Sequence, residues 1–287
     1  MAIELAVISG KGGTGKSSIT AAFATMGNRV VLADCDVDAA NLHIIMNPDI
    51  EESEVYVAGE KAVIDPQTCT GCRLCEEYCR FDAISYADGV CVADEVSCDG
   101  CRLCARICPA NAILMIPNDK SRMHSGSFRG GKMVYGRLEP GEENSGKLVA
   151  MVRNKARKIA EKENLDIILI DAPPGIGCAV ISSISGVTDV LMVTEPSLSA
   201  KSDLDRTFQL LENFSINKFV VINKYDLSPD LTVQVEELCK SYNTEVIGKI
   251  PFDREVVESM VNRKSILEWN PSSIVSEEIR KIWNKIV

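Results

Sequence analysis

The sequence predicts an α/β fold in which a mostly parallel, twisted sheet has helices on both of its faces. Near-continuous apolar stretches alternate with helix-like stretches, a pattern typical of a parallel sheet buried on both sides. A glycine-rich loop joins the first apolar stretch to the first helix. The chain has 287 residues, which is enough for one large domain or for two.

The apolar stretches and the helix-like stretches follow one another along most of the chain. Strands are predicted at 4–9, 29–34, 166–171, 189–194, 218–223 and 245–250. Helices are predicted at 16–26, 151–163, 199–213 and 230–243. The gap between the second and third strands is much longer than a crossover requires. It therefore predicts an insertion, followed by a Gly- and Ser-rich segment at about 118–147 that we expect to be a linker and mobile loop.

Composition excludes several classes of protein. The hydrophobic fraction is 46%, and no apolar run reaches the roughly 18–20 residues that span a bilayer. The N-terminus lacks a basic region before its first apolar stretch, so we expect no signal peptide and a cytoplasmic protein. A formal net charge of −10 argues against a nucleic-acid partner.

A phosphate-binding loop is indicated by "GKGGTGKS", which matches G-x-x-x-x-G-K-[ST] between a strand and a helix. Its glycines let backbone N–H groups converge on phosphate oxygens, and the helix N-terminus adds positive potential. Lys16 is expected to reach the β- and γ-phosphates, and Ser17 to bind Mg²⁺. The nucleotide-binding residues predicted here are Gly10, Gly12, Gly13, Thr14, Gly15, Lys16, Ser17 and Ser18.

A cysteine-rich block lies inside the insertion. "CTGCRLCEEYC" and "CDGCRLCARIC" superimpose at an offset of 29 residues, and each has the spacing C-x2-C-x2-C-x3-C. This spacing is that of bacterial ferredoxins with two [4Fe–4S] clusters, in which the fourth cysteine of each run binds the other cluster. The predicted ligand sets are Cys69, Cys72, Cys75 and Cys108 for one cluster, and Cys98, Cys101, Cys104 and Cys79 for the second. Zinc is a less favoured alternative, because the extra cysteines of each run fit a tetrahedral site poorly.

The two motifs divide the chain into a discontinuous domain and an insertion. Residues 60–117 are predicted to form an inserted α+β domain that resembles a two-cluster ferredoxin. Residues 1–59 and 118–287 are predicted to form the phosphate-loop domain. Twelve cysteines in a chain without a secretion signal favour metal ligation over disulfides.

Lys11, in "KGGTGK", resembles the early lysine of the deviant phosphate loop found in the MinD, ParA and Mrp-type ATPases and the nitrogenase iron protein. The resemblance implies a nucleotide-sandwich homodimer in which Lys11 contacts the partner's phosphates and is needed for catalysis. "LADCDVDAANLHI" resembles the family's switch I, which implies that Asp36 positions the attacking water, although Asp34 and Asp38 flank it. "IILIDAPPGIG" resembles the Walker B and switch II region, with Asp171 supporting Mg²⁺.

The same resemblance implies the base-binding residues. "VVINKYDLS" places Asn223 against the purine, and "IPFD" places Pro251 and Phe252 beside it. Residues 223–226 also fit N-K-x-D, the guanine signature of GTPases, so GTP stays open while ATP is favoured. Cys178 follows Asp171 where the nitrogenase iron protein carries a cluster cysteine, but a buried small residue is the favoured interpretation.

Three functions remain open from the sequence. ATP-gated electron transfer to a partner metalloprotein is favoured, because both ferredoxin ligand sets are complete. Assembly or delivery of iron–sulfur or other metallocofactor units is the alternative. A membrane-associated positioning ATPase is a second alternative, since the C-terminal stretch "SIVSEEIRKIWNKIV" is amphipathic, although a helix packed on the sheet explains that pattern equally well.

Overall fold

A computed structural model describes residues 2–27, 29–57, 59–140, 142 and 145–287. The strands are β1 (Ile3–Ser9), β2 (Val30–Asp34), β3 (Asp49–Tyr56), β4 (Glu60–Ile64), β5 (Ile84–Ala87), β6 (Val90–Ala93), β7 (Ile113–Pro117), β8 (Ser121–Phe128), β9 (Gly131–Arg137), β10 (Ile167–Pro174), β11 (Asp189–Thr194), β12 (Asn217–Asn223) and β13 (Glu245–Ile250). The helices are α1 (Lys16–Ala24), α2 (Leu42–Met46), α3 (Leu74–Glu77), α4 (Leu103–Ile107), α5 (Ser145–Glu163), α6 (Cys178–Ile184), α7 (Leu198–Leu211), α8 (Pro229–Ser241), α9 (Glu255–Val261), α10 (Ile266–Trp269) and α11 (Ile274–Ile286).

One nine-stranded sheet runs through the chain in the order β13-β12-β11-β1-β10-β2-β9-β8-β3. Every pair from β13 to β9 is parallel. In β1, successive residues from Leu5 to Ile8 are all at most 1% exposed, so both faces of the sheet are covered. The predicted α/β class with a mostly parallel sheet is confirmed.

The predicted linker at about 118–147 is wrong, because it contains β8, β9 and the start of α5. Its glycines are required where backbones approach closely: a Cβ on Gly126 would lie 2.0 Å from Asp49 O, and one on Gly131 would lie 2.1 Å from Val30 O. Arg129, between the two strands, donates to Met46 O at 2.7 Å and pairs with Glu268. A segment that looks like a loop by composition is therefore fixed by strand pairing.

The chain divides into two compact units. The nucleotide-binding unit comprises Met1–Ser53, Met123–Gly136 and Ser145–Val287, and the cysteine unit comprises Glu54–Arg122 and Arg137–Asn144. The cysteine unit thus extends beyond the predicted insertion 60–117 on both sides. That residues 60–117 and the rest of the chain form separate domains stays a prediction.

The C-terminal helix α11 contributes its apolar face to the core of the nucleotide-binding unit. Ile279 and Ile282 are at most 2% exposed, and the Trp283 ring lies 5.0 Å from the Phe23 ring. Within the described residues, no helix combines the length and the apolar character needed to cross a membrane. Burial in the core explains the amphipathic pattern of this helix.

Candidate functional site

The glycine loop connects the end of β1 to the start of α1. Gly13 and Gly15 have φ values of 80° and 92°, which favour glycine. A Cβ on Gly15 would also lie 2.2 Å from Asn223 Nδ2, so the loop packs directly against the end of β12. Thr14 Oγ1 is buried without a hydrogen-bond partner among the described residues, and a buried polar group of this kind fits a ligand contact.

Lys16, Ser17 and Asp171 form a buried polar cluster. Lys16 Nζ lies 2.9 Å from Asp171 Oδ2, and these side chains are 6% and 0% exposed. Ser17 Oγ donates to the same carboxylate oxygen at 2.7 Å, and Thr20 Oγ1 donates to the other at 2.9 Å. Asp171 therefore holds both the lysine and the serine that the motif assigns to phosphate and Mg²⁺, which is the arrangement a supporting carboxylate requires.

The three aspartates of the 34–38 segment differ in burial. Asp34 is fully buried and its carboxylate accepts from Asp36 N at 3.1 Å and from Leu42 N at 3.2 Å, so it braces the loop. Burial, and then the charge of Asp171, raise the pKa of Asp34 to about 8. Asp36 is half-buried, and burial raises its pKa. Asp38 is exposed. Of the three, Asp36 is the one that is partly exposed and also feels the charge of Lys16.

Lys11 is held within its own chain. Its Nζ lies 2.7 Å from Glu195 Oε1 and donates to Ser197 Oγ and Ser199 Oγ, both at 3.1 Å. Glu195 Oε2 pairs at 2.9 Å with Lys224, which also donates to Gly13 O at 2.8 Å. Burial raises the pKa of Glu195, but hydrogen bonds from Lys11 and Lys224 outweigh it and lower the pKa overall. Sequence reasoning missed Glu195, because one acidic residue after a strand carries no motif.

The residues predicted to bind the base line one largely apolar pocket with the phosphate loop. Its lining includes Gly13, Gly15, Ser18, Asn223, Pro251 and Phe252, together with Ile250, Val256 and Met260. Asn223 Nδ2 donates to Thr14 O at 2.8 Å, and Asp226 Oδ1 accepts from Phe252 N at 2.7 Å. The N-K-x-D residues are thus engaged in holding the loops of the pocket together.

The two cysteine repeats fold alike, with matching backbone at the 29-residue offset. Arg73 and Arg102 are left-handed, with φ of 61° and 65°, and Ala83 N and Ala112 N donate to Cys79 Sγ at 3.4 Å and to Cys108 Sγ at 3.3 Å. The strand before the first repeat, β4, pairs with the strand after the second, β7, while β5 pairs with β6. This crossed pairing relates the repeats by a pseudo-two-fold axis.

Four cysteines from both repeats line a single pocket. They are Cys79, Cys98, Cys101 and Cys104, accompanied by Tyr78 and Phe81. Among the described residues, no group of three or more His, Cys, Asp or Glu side chains lies close enough to hold one metal ion. This finding supports neither the zinc alternative nor the predicted [4Fe–4S] clusters. A [4Fe–4S] cube, by contrast, carries each thiolate on a different iron, so its sulfurs lie further apart than those around a single ion.

The other cysteines occupy different surroundings. Cys75 and Cys91 are in the core of the cysteine unit, with Cys69 and Cys108 packed against it. Burial, together with Cys91, raises the pKa of Cys75 to about 12. Cys178, at the start of α6, is exposed, so the interpretation as a buried small residue is wrong.

The parallel sheet, the glycine loop and the buried Lys16–Asp171 pair define a phosphate-loop nucleotide-binding protein. The chain belongs to the CobQ/CobB/MinD/ParA nucleotide-binding domain family, whose sequence profile matches residues 5–266. It is 33% identical to an uncharacterized protein of Methanocaldococcus jannaschii over 99% of this chain and 96% of that protein. It is 23% identical to the septum site-determining protein MinD of Bacillus subtilis over 100% of this chain and 90% of that protein.

Solved structures share the fold. The septum site-determining protein MinD of Pyrococcus horikoshii, complexed with Mg-ADP, matches with a TM-score of 0.61 and 18% identity, covering 100% of this chain and 96% of that one. A chain of the MinC:MinD cell division protein complex of Aquifex aeolicus matches with a TM-score of 0.58 and 22% identity, covering 99% of this chain and 96% of that one. At these identities the likeness extends to the fold alone.

Proposed function

We propose that the protein is an ATPase whose nucleotide cycle controls two [4Fe–4S] clusters, and that it delivers electrons to a partner metalloprotein under that control. The observation that carries the proposal is the presence in one chain of a phosphate loop with its Lys16–Asp171–Ser17 cluster and a pocket lined by four cysteines. In sequence, the cysteine block lies between the two segments that resemble switch I and switch II. The proposed coupling is a change in these segments with nucleotide state that reaches the cysteine block.

ATP is favoured over GTP as the nucleotide. In guanine recognition the aspartate of N-K-x-D is committed to the base, whereas here Asp226 Oδ1 accepts the Phe252 N–H at 2.7 Å. Asn223 and the apolar side chains of Pro251 and Phe252 supply a pocket suited to an adenine ring. The Mg-ADP complex of the Pyrococcus horikoshii relative agrees with an adenine nucleotide.

Hydrolysis is proposed to proceed by positioning and by neutralising phosphate charge. Lys16 binds the β- and γ-phosphates, while Asp171 orients Ser17, which would hold Mg²⁺; the ion would supply neutralisation of phosphate charge. Asp36 orients the attacking water. Lys11 acts from the partner of a homodimer, which requires it to exchange Glu195 of its own chain for phosphate oxygens of the other.

The cysteine unit is proposed to hold its clusters across the repeats. Cys79 joins Cys98, Cys101 and Cys104, and by the pseudo-two-fold relation Cys108 joins Cys69, Cys72 and Cys75. Backbone N–H donors to Cys79 Sγ and Cys108 Sγ are suited to thiolate ligands. When bound, such clusters supply one-electron transfer at low potential.

One observation favours delivery of clusters as a second candidate function. Cys72 and Cys101 are exposed, so one thiol of each ligand set is open to an acceptor. A carrier would lose iron to an apo-acceptor protein on incubation, and faster with ATP. The membrane-positioning alternative is not favoured, because the apolar face of α11 is buried in the core.

The test is anaerobic purification followed by iron and sulfide analysis and by electron paramagnetic resonance titration of the protein without nucleotide, with ADP and with ATP. The proposal expects two clusters whose potential or solvent accessibility changes with ATP. Identical cluster spectra, potentials and accessibility in all three states would refute the coupling.

A further inference from the structure

A lysine of the cysteine unit is buried beside a predicted cluster ligand. Lys61, in β4, is 6% exposed, and its Nζ donates to Cys98 O at 2.7 Å. A lysine is seldom buried to this extent, because its ammonium group loses water. Cys98 is one of the four cysteines that line the pocket of the second predicted cluster. The positive charge of Lys61 therefore lies at the backbone of a residue that would bind iron.

The equivalent residue of the other half of the unit is a valine. Val90, in β6, follows Lys61 by 29 residues, which is the offset of the two cysteine repeats. The next residues along the two strands, Ala62 and Cys91, are 5% and 3% exposed and belong to one apolar cluster. The two strands thus bury equivalent positions but differ at the lysine.

The two strands also approach the cysteine loops in the same way. A Cβ on Gly100 would lie 2.3 Å from Glu60 O, and a Cβ on Gly71 would lie 2.5 Å from Gly89 O. The two glycines are 29 residues apart, and so are the two carbonyl groups. Strand β4 therefore contacts the loop of the second repeat as the start of β6 contacts the loop of the first.

The acidic residue nearest to Lys61 in sequence terms has a counterpart in the other repeat. Asp94 accepts from Ser97 N at 2.7 Å, and the equivalent Asp65 accepts from Gln67 N at 3.0 Å. Hydrogen bonds from Ser97 lower the pKa of Asp94, and the charge of Lys61 adds to this effect. Since both repeats carry this aspartate, it does not account for a difference between them.

Other charges that differ between the repeats are accessible to solvent. Glu60 pairs with Arg102, and Glu76 pairs with Arg73. Further charged residues that differ between the repeats are exposed, among them Glu77, Asp99 and Arg106. Salt and water screen such charges, whereas a buried charge is screened much less. Within the described part of the cysteine unit, Lys61 is the one charged residue that is buried.

We propose that Lys61 raises the reduction potential of the cluster held by Cys79, Cys98, Cys101 and Cys104, and so makes the two predicted clusters inequivalent. This inference rests on the proposed function and deepens it, because one side chain then influences which cluster holds the electron. Reduction adds one negative charge to a cluster, and a fixed positive charge nearby stabilises the reduced form. The neutral valine gives the other cluster no such stabilisation.

The test measures the midpoint potentials of both clusters in the cluster-loaded chain, by anaerobic redox titration followed by electron paramagnetic resonance. Lys61→Met removes the charge and keeps an unbranched side chain, while Lys61→Arg keeps the charge. Lys120→Met is the control with the same change in overall charge, because Lys120 pairs with Glu95 and is 55% exposed. Val90→Lys places a lysine at the equivalent position of the other strand.

Lys61→Met is expected to lower one of the two potentials, with about a tenfold change in the reduction equilibrium, or about 59 mV for one electron. Lys61→Arg and Lys120→Met should leave both reduction equilibria within about twofold of wild type. Val90→Lys should raise the other potential by a factor similar to that lost in Lys61→Met. Because the site is buried, the effects should persist at high salt.

Unchanged potentials in a Lys61→Met protein that retains its iron would overturn the inference. If Lys61→Met loses its iron, Val90→Lys takes its place, and unchanged potentials in that variant would overturn the inference equally. Iron analysis of the wild-type protein separates this outcome from failure of the proposed function, in which the clusters themselves would be absent.

Discussion

The two units of the chain differ in the side chains that form their cores. In the nucleotide-binding unit, large side chains such as Phe23, Phe208 and Leu169 are fully buried, at most 1% exposed. In the cysteine unit, the buried cluster consists of Ala62, Ile84 and Ile113 with two cysteines, and further cysteines pack against it. The first unit has a core that needs no ligand. The second has a smaller apolar core, and under the proposed function bound clusters would add to its folding free energy.

The sites of the two units differ in the same way. Lys16 and Asp171 are already paired and hydrogen-bonded within the chain, so the nucleotide site is preorganised by ordinary polar contacts. The eight cysteines of the repeats have thiol side chains that pack against one another or face solvent. Loss of one binding side chain should therefore have local consequences in the first unit, whereas in the second it should disturb the structure of the unit.

The largest expected effect is that of Cys104→Ser. It removes one thiol from the shared pocket, so we expect iron content to fall by about half and backbone amide protection in residues 60–117 to fall with it. ATP affinity should stay within about twofold, because the nucleotide site has its own core. Iron analysis, hydrogen exchange and nucleotide titration provide the measurements.

Cys239→Ser is the matched control for that experiment, since Cys239 lies in α8 of the nucleotide-binding unit, outside both repeats. It should retain the full iron content. Equal iron in Cys104→Ser and wild type would contradict the difference drawn between the units.

Lys11→Ala should lower ATP hydrolysis about 10³-fold, because a cation supplied across an interface stabilises charge mainly in the transition state. Nucleotide affinity should change little. Lys16→Ala, in the same loop and with the same change in charge, should lose binding as well as hydrolysis. Steady-state turnover and equilibrium titration separate the two effects, and wild-type turnover by Lys11→Ala would rule out its role in catalysis.

The nucleotide-binding unit should lose stability as pH rises, through Asp34. Because the folded-state pKa is about 8 against an ordinary 3.8, the folded protein holds a proton that the unfolded chain releases between these values. The free energy of unfolding from this group therefore decreases from about pH 4 towards pH 8.

Asp34→Asn should flatten that pH dependence, measured by denaturant titration across the range. Asp230→Asn, at an exposed position in the first turn of α8, should keep the wild-type slope. An unchanged slope in Asp34→Asn would show that Asp34 ionises normally in the folded state.

The smallest expected effect is that of Glu195→Gln. It weakens the pairs with Lys11 and Lys224, each worth at most about 1 kcal/mol at this partial exposure, so ATP-dependent dimerisation should increase about threefold. Light scattering with and without ATP measures it. Glu277→Gln, at an exposed position in α11, should behave as wild type, and a weaker dimer in Glu195→Gln would indicate that the carboxylate supports the interface.

The sequence by itself determined the features that depend on local spacing. The phosphate loop, the order of strands and helices from β10 to β13, and the 29-residue repeat are all readable because nearby residues decide them. The fold class and the family followed from these features.

Tertiary structure alone decided the features that depend on distant partners. Strands β8 and β9 look like a linker, since their glycines are explained only by the backbones of Asp49 and Val30. Glu195 becomes part of the site only through Lys11 and Lys224, which are distant in sequence. Phe81 belongs to the first repeat in sequence. Only folding brings it to the pocket that is lined by cysteines of the second repeat.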